Sequence, residues 1–324
     1  MHQLITRRAL LAAGVTDAEL RGRLHRRQLV RLASGTYVDA ARYDAASIDD
    51  RYVLLVIAEA QQSPDLVVSH SSAAALHGLP LLGVDLTRVH LTRDGRGGHR
   101  VARQRTVHAG DLPEHRKVKV GDLLVTDVAR TLVDLARTER GSYAVVAGDA
   151  ALNRGLITPD ALAEALADAH WHKGRPGAVR ALGQLDGRSE SPGETLLRLA
   201  LIDLSLGPLE LQVEILDQTG RLVGRVDAAL LDQGILIEFD GKIKYGALLR
   251  PGQSPTDAVL AEKRREERLT ELGWLVIRVT WSDLHDRARL VERVRGAAAA
   301  RRRLVANGGI RGSVVLRPEL RIAS

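Results

Sequence analysis

Cysteine is absent from the 324 residues, and with it go disulfides, thiolate metal sites and thiol catalysis. Also missing is any stretch near the roughly 20 apolar residues that a membrane-spanning helix requires, and the opening Met-His-Gln-Leu-Ile-Thr-Arg-Arg has no apolar run of a secretion signal. These absences predict a cytoplasmic protein with no membrane partner. Lysine is scarce, since only six of the 47 basic residues are Lys (117, 119, 173, 242, 244 and 263). A GC-rich genome accounts for Arg replacing Lys, but less well for the clustering of Arg.

Hydrophobic residues make up 45% and charged residues 27% of the chain, a balance that supports packed cores and excludes disorder on a large scale. The length suits two or three domains of roughly 100 to 150 residues. The net charge of +7 favours polyanionic partners, nucleic acid first among them.

Residues 1–45 carry the pattern helix, turn, basic helix, hairpin. Thr6 caps a short helix that stops at Gly14, and Thr16-Asp17-Ala18-Glu19 is a capping box in which Thr16 and Glu19 satisfy each other's free backbone N–H groups. The helix so opened carries Arg21, Arg23, His25, Arg26 and Arg27. Residues 29–32 and 36–38 alternate about a Ser34-Gly35 turn as a β-hairpin does. This is the order of a winged helix, whose basic helix fits the DNA major groove with Arg21, Arg23, Arg26 and Arg27 reaching phosphates and guanine edges.

Residues 46–183 read as a mixed α/β middle domain, with a helix over 51–62, a short helix after Ser69-His70-Ser71-Ser72, strands near 87–92 and 106–109, and helices from Thr126 onward. His70, His77 and His108 have no carboxylates at ligand spacing, which favours capping or core roles over a metal site. Ser71-Ser72-Ala73-Ala74-Ala75-Leu76-His77-Gly78-Leu79, Val107-His108, and the run from Thr126-Asp127-Val128 through Asp134-Leu135-Ala136 resemble the central region of the abortive-infection antitoxins of type IV toxin–antitoxin systems. The winged helix is similar to their N-terminal domain. The resemblance implies a cognate toxin as a partner.

A linker with Gly174, Pro176, Gly177 and Gly187 leads to a last domain over 184–304, and residues 305–324, with Gly308, Gly309 and Gly312, read as a flexible tail. The chemistry lies in a predicted hairpin of a strand over 221–231, a turn at Asp232-Gln233-Gly234, and a strand Ile235-Leu236-Ile237-Glu238-Phe239-Asp240. A two-residue loop at Asp232 and Gln233 sets Asp227 opposite Glu238, their carboxylates roughly 5 Å apart on one face. Asp240 extends that acidic face, while Ile235, Ile237 and Phe239 take the other. Like charges so placed repel, which calls for a cation or a raised pKa. Asp227, Glu238 and Asp240 are oxygen ligands suited to Mg²⁺ (or Mn²⁺), which activates a water and stabilises charge on a scissile phosphate. Glu194, in Ser191-Pro192-Gly193-Glu194 at a helix start, either joins that site or is an acidic cap of the first turn. The non-catalytic alternative has incidental acids, with Arg225 neutralising Asp240 across the strands.

Ser-Pro-Gly-Glu at 191–194, Val226-Asp227, Ile237-Glu238-Phe239-Asp240-Gly241, Arg264 and Arg268, and Gly273-Trp274 through Arg278 with Trp281 and Leu284 together resemble the small nuclease family related to very-short-patch repair endonucleases, a branch of the PD-(D/E)XK superfamily. The resemblance implies a restriction-endonuclease-like α/β domain that hydrolyses phosphodiester bonds, with Glu194, Asp227, Glu238 and Asp240 in catalysis and Arg264 and Arg268 on the substrate backbone. Where the superfamily has Lys two residues after Glu238 this sequence has Asp240, so Lys242 or Lys244 takes the catalytic lysine's place. The sequence as a whole reads as an α/β multidomain DNA-binding protein with an endonuclease domain. Its rival is a regulator or antitoxin that keeps a nuclease fold without turnover.

Overall fold

A computed structural model describes residues 4–95, 98, 100–169, 173–241 and 255–318. They form a mixed α/β protein of three sheets and thirteen helices, divided in sequence into two compact units between Leu185 and Asp186. No helix among the described residues is long and apolar enough to cross a membrane.

The first unit opens with β1 (Ile5–Thr6), α1 (Arg7–Ala12), α2 (Asp17–His25), β2 (Leu29–Ala33) and β3 (Thr36–Asp39). Thr6 Oγ1 accepts the Ala9 N–H at the start of α1, and Thr16 and Glu19 close the capping box of α2. The three strands run antiparallel in the order β1-β3-β2, and Leu10, Leu20, Leu29 and Tyr37 fill the core beneath them.

Next come α3 (Ala40–Ala45), α4 (Ile48–Ala60), β4 (Val67–Val68), α5 (His70–Leu76), β5 (Val89–Asp94), β6 (Arg100–Val101), β7 (Arg105–Gly110), β8 (Lys117–Val120) and β9 (Leu123–Thr126). The six strands form a mixed sheet in the order β6-β7-β5-β4-β9-β8. Parallel pairing of β5 with β7 sets His90 opposite Thr106 and Thr92 opposite His108. The helices α6 (Val128–Thr138), α7 (Gly141–Asn153), α8 (Pro159–Asp168) and α9 (Arg175–Leu182) complete the unit. Asp127 caps α6 by accepting the Arg130 N–H, and the buried Arg130 guanidinium is matched by Asp134 one turn on, at 3.1 Å. A buried cation needs such a partner.

The second unit comprises α10 (Pro192–Leu201), β10 (Glu210–Leu216), β11 (Leu222–Leu230), β12 (Ile235–Asp240), α11 (Pro255–Glu271), β13 (Leu275–Thr280), α12 (Trp281–His285), α13 (Arg287–Ala306) and β14 (Ser313–Val315). Its sheet order is β13-β12-β11-β10-β14, antiparallel except for the β12/β13 pair. Helices cover both faces. Leu197, Leu201, Leu290 and Val294 pack with Ala228, Leu230, Ile235 and Ile237 on one side, and Leu269, Leu272 and Trp274 pack with Val213, Ile215 and Leu236 on the other. Burial on both faces is why β12 reads as an almost unbroken apolar run until Glu238.

Two expectations need correction. The tail expected over 305–324 is structured as far as it is described: α13 runs to Ala306, and β14 pairs with β10. Gly308 and Gly312, at φ 68° and 86°, supply the reversals, and β14 satisfies backbone groups that would otherwise leave β10 an open edge. The β11–β12 connection is also longer than two residues, being a helical turn over Leu231–Gln233 closed by Gly234 at φ 65°.

Candidate functional site

The longer turn keeps the expected register. The ladder runs Leu230/Ile235, Ala229/Leu236, Ala228/Ile237 and stops there, so Asp227 and Glu238 are the next pair in line, at the point where the ladder ends. Asp227 Oδ2 accepts the Phe239 N–H at 2.7 Å, giving that backbone donor the acceptor the ladder no longer supplies.

On the other side of β11, Gln212 falls opposite Asp227, between the Leu211/Ala228 and Val213/Val226 pairs. Leu211 and Ala228 belong to one core, Val213 and Val226 to the other. The alternation of faces therefore slips by one at Gln212, whose φ is +53°. That slip sets an amide and a carboxylate inside a sheet otherwise apolar on both sides. Gln212 is 1% exposed; its Nε2 donates to Glu194 Oε2 at 2.9 Å, and its Oε1 has no partner.

Glu194 is aimed by the start of α10. Ser191 is the N-cap, its hydroxyl donates to Glu194 Oε1 at 2.7 Å, and the Glu190 N–H donates to Oε2 at 2.8 Å. Gly193 allows the helix to seat there, because a Cβ at that position would lie 2.0 Å from the Phe239 ring. Phe239 in turn meets Trp281 edge-on, with centroids 5.0 Å apart.

The charges are unevenly compensated. Burial, followed by the negative charges of Glu194 and Glu238, pushes the Asp227 carboxyl up to about 7. Burial also raises Glu238, but Glu238 has its own cations: Arg265 of α11 at 2.7 Å and Arg278 of β13 at 3.9 Å. Arg265 is shared with Glu262 at 2.6 Å, and these two carboxylates raise its guanidinium against the opposing effect of burial.

The remaining expected residues are dispersed. Asp240 ends β12 opposite Thr280, only partly buried. Arg225 does not neutralise it, being paired with Glu190 at 2.8 Å. Lys242, with Lys244, lies outside the described residues. Among the described residues Asp227, Glu238 and Asp240 do not converge: the one group of three ligand side chains whose atoms lie within 4.8 Å of one another is His70, His90 and His108. The reason is local, since Arg265 draws Glu238 toward α11 while the Phe239 N–H holds Asp227. Arg264 and Arg268 are exposed on α11. Arg21, Arg26 and Arg27 are exposed and Arg23 is partly buried. Arg27, at φ 51°, lies 3.9 Å from Asp44. His77 stands apart from the other imidazoles, bonded through Nε2 to the Thr126 carbonyl at 2.8 Å.

Sequence reasoning passed over Gln212, Arg265 and His90. A lone amide in a strand carries no signal, and α11 bears charge on every side, so only docking reveals which Arg turns inward. His90 had a readable sign: in Val89–Asp94 it alternates with the buried Val89 and Leu91 and shares a face with Thr92.

No protein-family model matches the sequence. The chain is 32% identical over 180 residues to the uncharacterized protein MT2308 of Mycobacterium tuberculosis strain CDC 1551 / Oshkosh, and equally to the uncharacterized protein Rv2248 of strain ATCC 25618 / H37Rv. Each alignment covers 55% of this chain and 63% of the relative, so the chain spans less than two thirds of the relatives it matches. The crystal structure of the RV2827C protein from Mycobacterium tuberculosis aligns over 61% of this chain and 75% of that one, at 16% identity and a TM-score of 0.37.

Proposed function

We propose that the protein binds DNA through a winged helix over its first 45 residues and hydrolyses phosphodiester bonds in its second unit. The observation that carries the enzymatic part is the set of partly buried Glu194, Asp227 and Glu238 with the buried Gln212 where β11 and β12 end their ladder, with Asp227 pushed to about 7 by burial and two neighbouring acids. Structural carboxylates are ordinarily given partners rather than one another.

The donors fit a divalent ion. They are oxygens throughout, and the unpartnered Gln212 Oε1 is a buried acceptor that a hard cation would satisfy. Asp227 and Glu194 would hold Mg²⁺ or Mn²⁺, which when bound polarises a phosphate oxygen and lowers the pKa of a water. The chain's own residues do the positioning. Ser191 and the Glu190 N–H fix the Glu194 carboxylate, Gln212 ties it to the sheet, and the Phe239 N–H fixes Asp227. Without an ion the Asp227 carboxyl, pushed up to about 7, is partly protonated at neutral pH, and a bound cation would favour its ionised, ligating form. Arg264 and Arg268, one turn apart on the exposed face of α11, would meet backbone phosphates. Purified protein incubated with DNA and RNA, single- and double-stranded, in Mg²⁺ or Mn²⁺ tests this. Metal-dependent cleavage should fall on the order of a thousandfold in Asp227→Ala. No cleavage by wild type with any substrate or metal counts against it.

DNA binding rests on the order of α1, α2, β2 and β3, with Arg21 and Arg26 exposed along and just beyond α2. Arg21→Ala with Arg26→Ala should flatten the dependence of log affinity on log salt by about one unit for each phosphate no longer neutralised. An unchanged slope would assign the segment to another partner.

The Arg265–Glu238 pair at 2.7 Å favours the second reading, a regulator that keeps the nuclease fold without turnover. A salt-matched thermal melt separates the two. Mn²⁺ should raise the melting temperature of wild type and leave Asp227→Ala, Glu238→Ala unmoved if the ion binds here, and equal shifts favour the regulator.

A further inference from the structure

The first unit holds a second cluster that the acids do not explain. His70 begins α5, His90 lies on β5 and His108 on β7, and one ring nitrogen from each falls within 4.8 Å of the other two. We propose that these three imidazoles form a binding site for one borderline transition-metal ion, Zn²⁺ above all.

The geometry of the pair on the sheet is the starting point. His90 Nδ1 and His108 Nε2 face each other at 3.0 Å. Two imine nitrogens cannot meet at that distance with lone pair against lone pair, nor N–H against N–H, so one proton sits between them. A cation in place of that proton satisfies both, and two imidazoles on one tetrahedral Zn²⁺ have nitrogens about 3.4 Å apart, given Zn–N bonds of about 2.0 to 2.1 Å. The strands are fixed by the parallel ladder, which sets Thr92 opposite His108, so this spacing belongs to the fold.

His70 is brought to the pair at a conformational cost. Its φ is +53°, a left-handed backbone that a non-glycine residue adopts only when its surroundings dictate it, and it is buried. Its Nδ1 is 2.9 Å from Ser69 Oγ, which accepts the Thr92 hydroxyl at 2.7 Å. A ligand imidazole commonly has its second nitrogen fixed in this way. His70 stacks on His108 with centroids 3.8 Å apart and planes 14° apart, so their in-plane lone pairs run side by side. Convergence on one ion takes a turn of one ring about its Cβ–Cγ bond, a torsion with broad minima.

The donor set decides the ion. Three nitrogens with no carboxylate in the group suit Zn²⁺, Co²⁺, Ni²⁺ or Cu²⁺ and disfavour Mg²⁺ and Ca²⁺, and the absence of cysteine leaves nitrogen as the softest strong donor. Three protein ligands leave a fourth position of a tetrahedral ion open. This site is independent of the acids of the second unit in residues and in ligand class.

The test uses the full-length protein, stripped with EDTA and dialysed, and titrated with ZnCl₂ by calorimetry and with CoCl₂ by visible absorption. With excess MgCl₂ present to occupy the acids of the second unit, one tightly bound ion per chain is expected, with the d–d bands of nitrogen-ligated Co²⁺. Affinity should fall about a hundredfold in His108→Ala and in His90→Asn, and stay unchanged in His77→Ala and in Asp227→Ala, Glu238→Ala. Far-UV circular dichroism establishes which variants fold. Should both cluster variants unfold, the imidazole ¹⁵N spectrum of wild type decides, since Zn²⁺ must shift a nitrogen on each of three rings. No saturable Zn²⁺ or Co²⁺ binding by wild type, folded His108→Ala and His90→Asn that bind as wild type does, or ¹⁵N signals that ignore Zn²⁺ would overturn the site.

Discussion

The acids of the second unit and the imidazoles of the first are both gatherings of titratable groups inside the protein, and they are held by opposite means. Glu238 is tied to Arg265, and Asp227 leans on one N–H and is pushed to about 7. His70, His90 and His108 stack and hydrogen-bond among themselves and to hydroxyls. The difference follows from the neutral form each group can adopt. An imidazole loses its charge near neutral pH and still donates at one nitrogen and accepts at the other, whereas an ionised carboxylate only accepts and brings a charge that burial resists. Removing a partner should therefore cost far more among the acids than among the imidazoles.

The largest effect on stability is expected at Arg265. Arg265→Ala leaves the largely buried Glu238 without its close cation and should destabilise the metal-free protein by about 3 to 5 kcal/mol, as urea unfolding would measure. Glu238→Gln in the same chain should recover most of that loss. A loss of the same size in the double variant would mean that Arg265 acts through packing on Gly224 and not through charge.

Asp227 gives a smaller effect with a pH signature. Its carboxyl ionises at 3.8 when exposed and at about 7 in the fold, so between those values the folded state holds a proton that the unfolded state has released. Wild-type stability from this group is full below 3.8, falls as pH rises through the window, and is level above about 7. In EDTA, Asp227→Asn should accordingly gain on wild type by roughly 2 to 4 kcal/mol at pH 8, and the difference should vanish by pH 4. A difference independent of pH would remove the titrating carboxyl from the account.

The smallest effect belongs to the imidazoles. His108→Phe keeps a stacked ring against His70 and removes one hydrogen bond to His90, for a loss of about 1 kcal/mol in the absence of metal. A loss matching that of Arg265→Ala would erase the contrast between the clusters.

Local chemistry was legible in the sequence. Thr16 and Glu19 announce α2, and a turn centred on Asp232 and Gln233 gives the register that brings Asp227 in line with Glu238, even though the turn at Leu231–Gln233 is longer than expected. What stayed hidden depends on packing between segments distant in the chain. Gln212 enters the site only because the alternation of faces slips by one at its left-handed backbone, and Arg265 rather than Arg264 or Arg268 turns inward only once Leu269 has docked α11 on the sheet. His90 and His108 are neighbours only through a parallel pairing that no local pattern dictates. The strand at Ser313–Val315 was concealed by the glycines that make its return to β10 feasible.

Arg265 also bears on the life of the newly made chain. Because Glu238 meets a positive charge that the polypeptide itself supplies, the second unit can complete its sheet during synthesis without drawing on any ion from its surroundings. In the nuclease reading a divalent ion would then arrive at a finished scaffold and be taken up by Asp227 and Glu194, while the guanidinium keeps Glu238. The supply of metal would govern when such a protein works, while its persistence between those occasions would rest on the arginine.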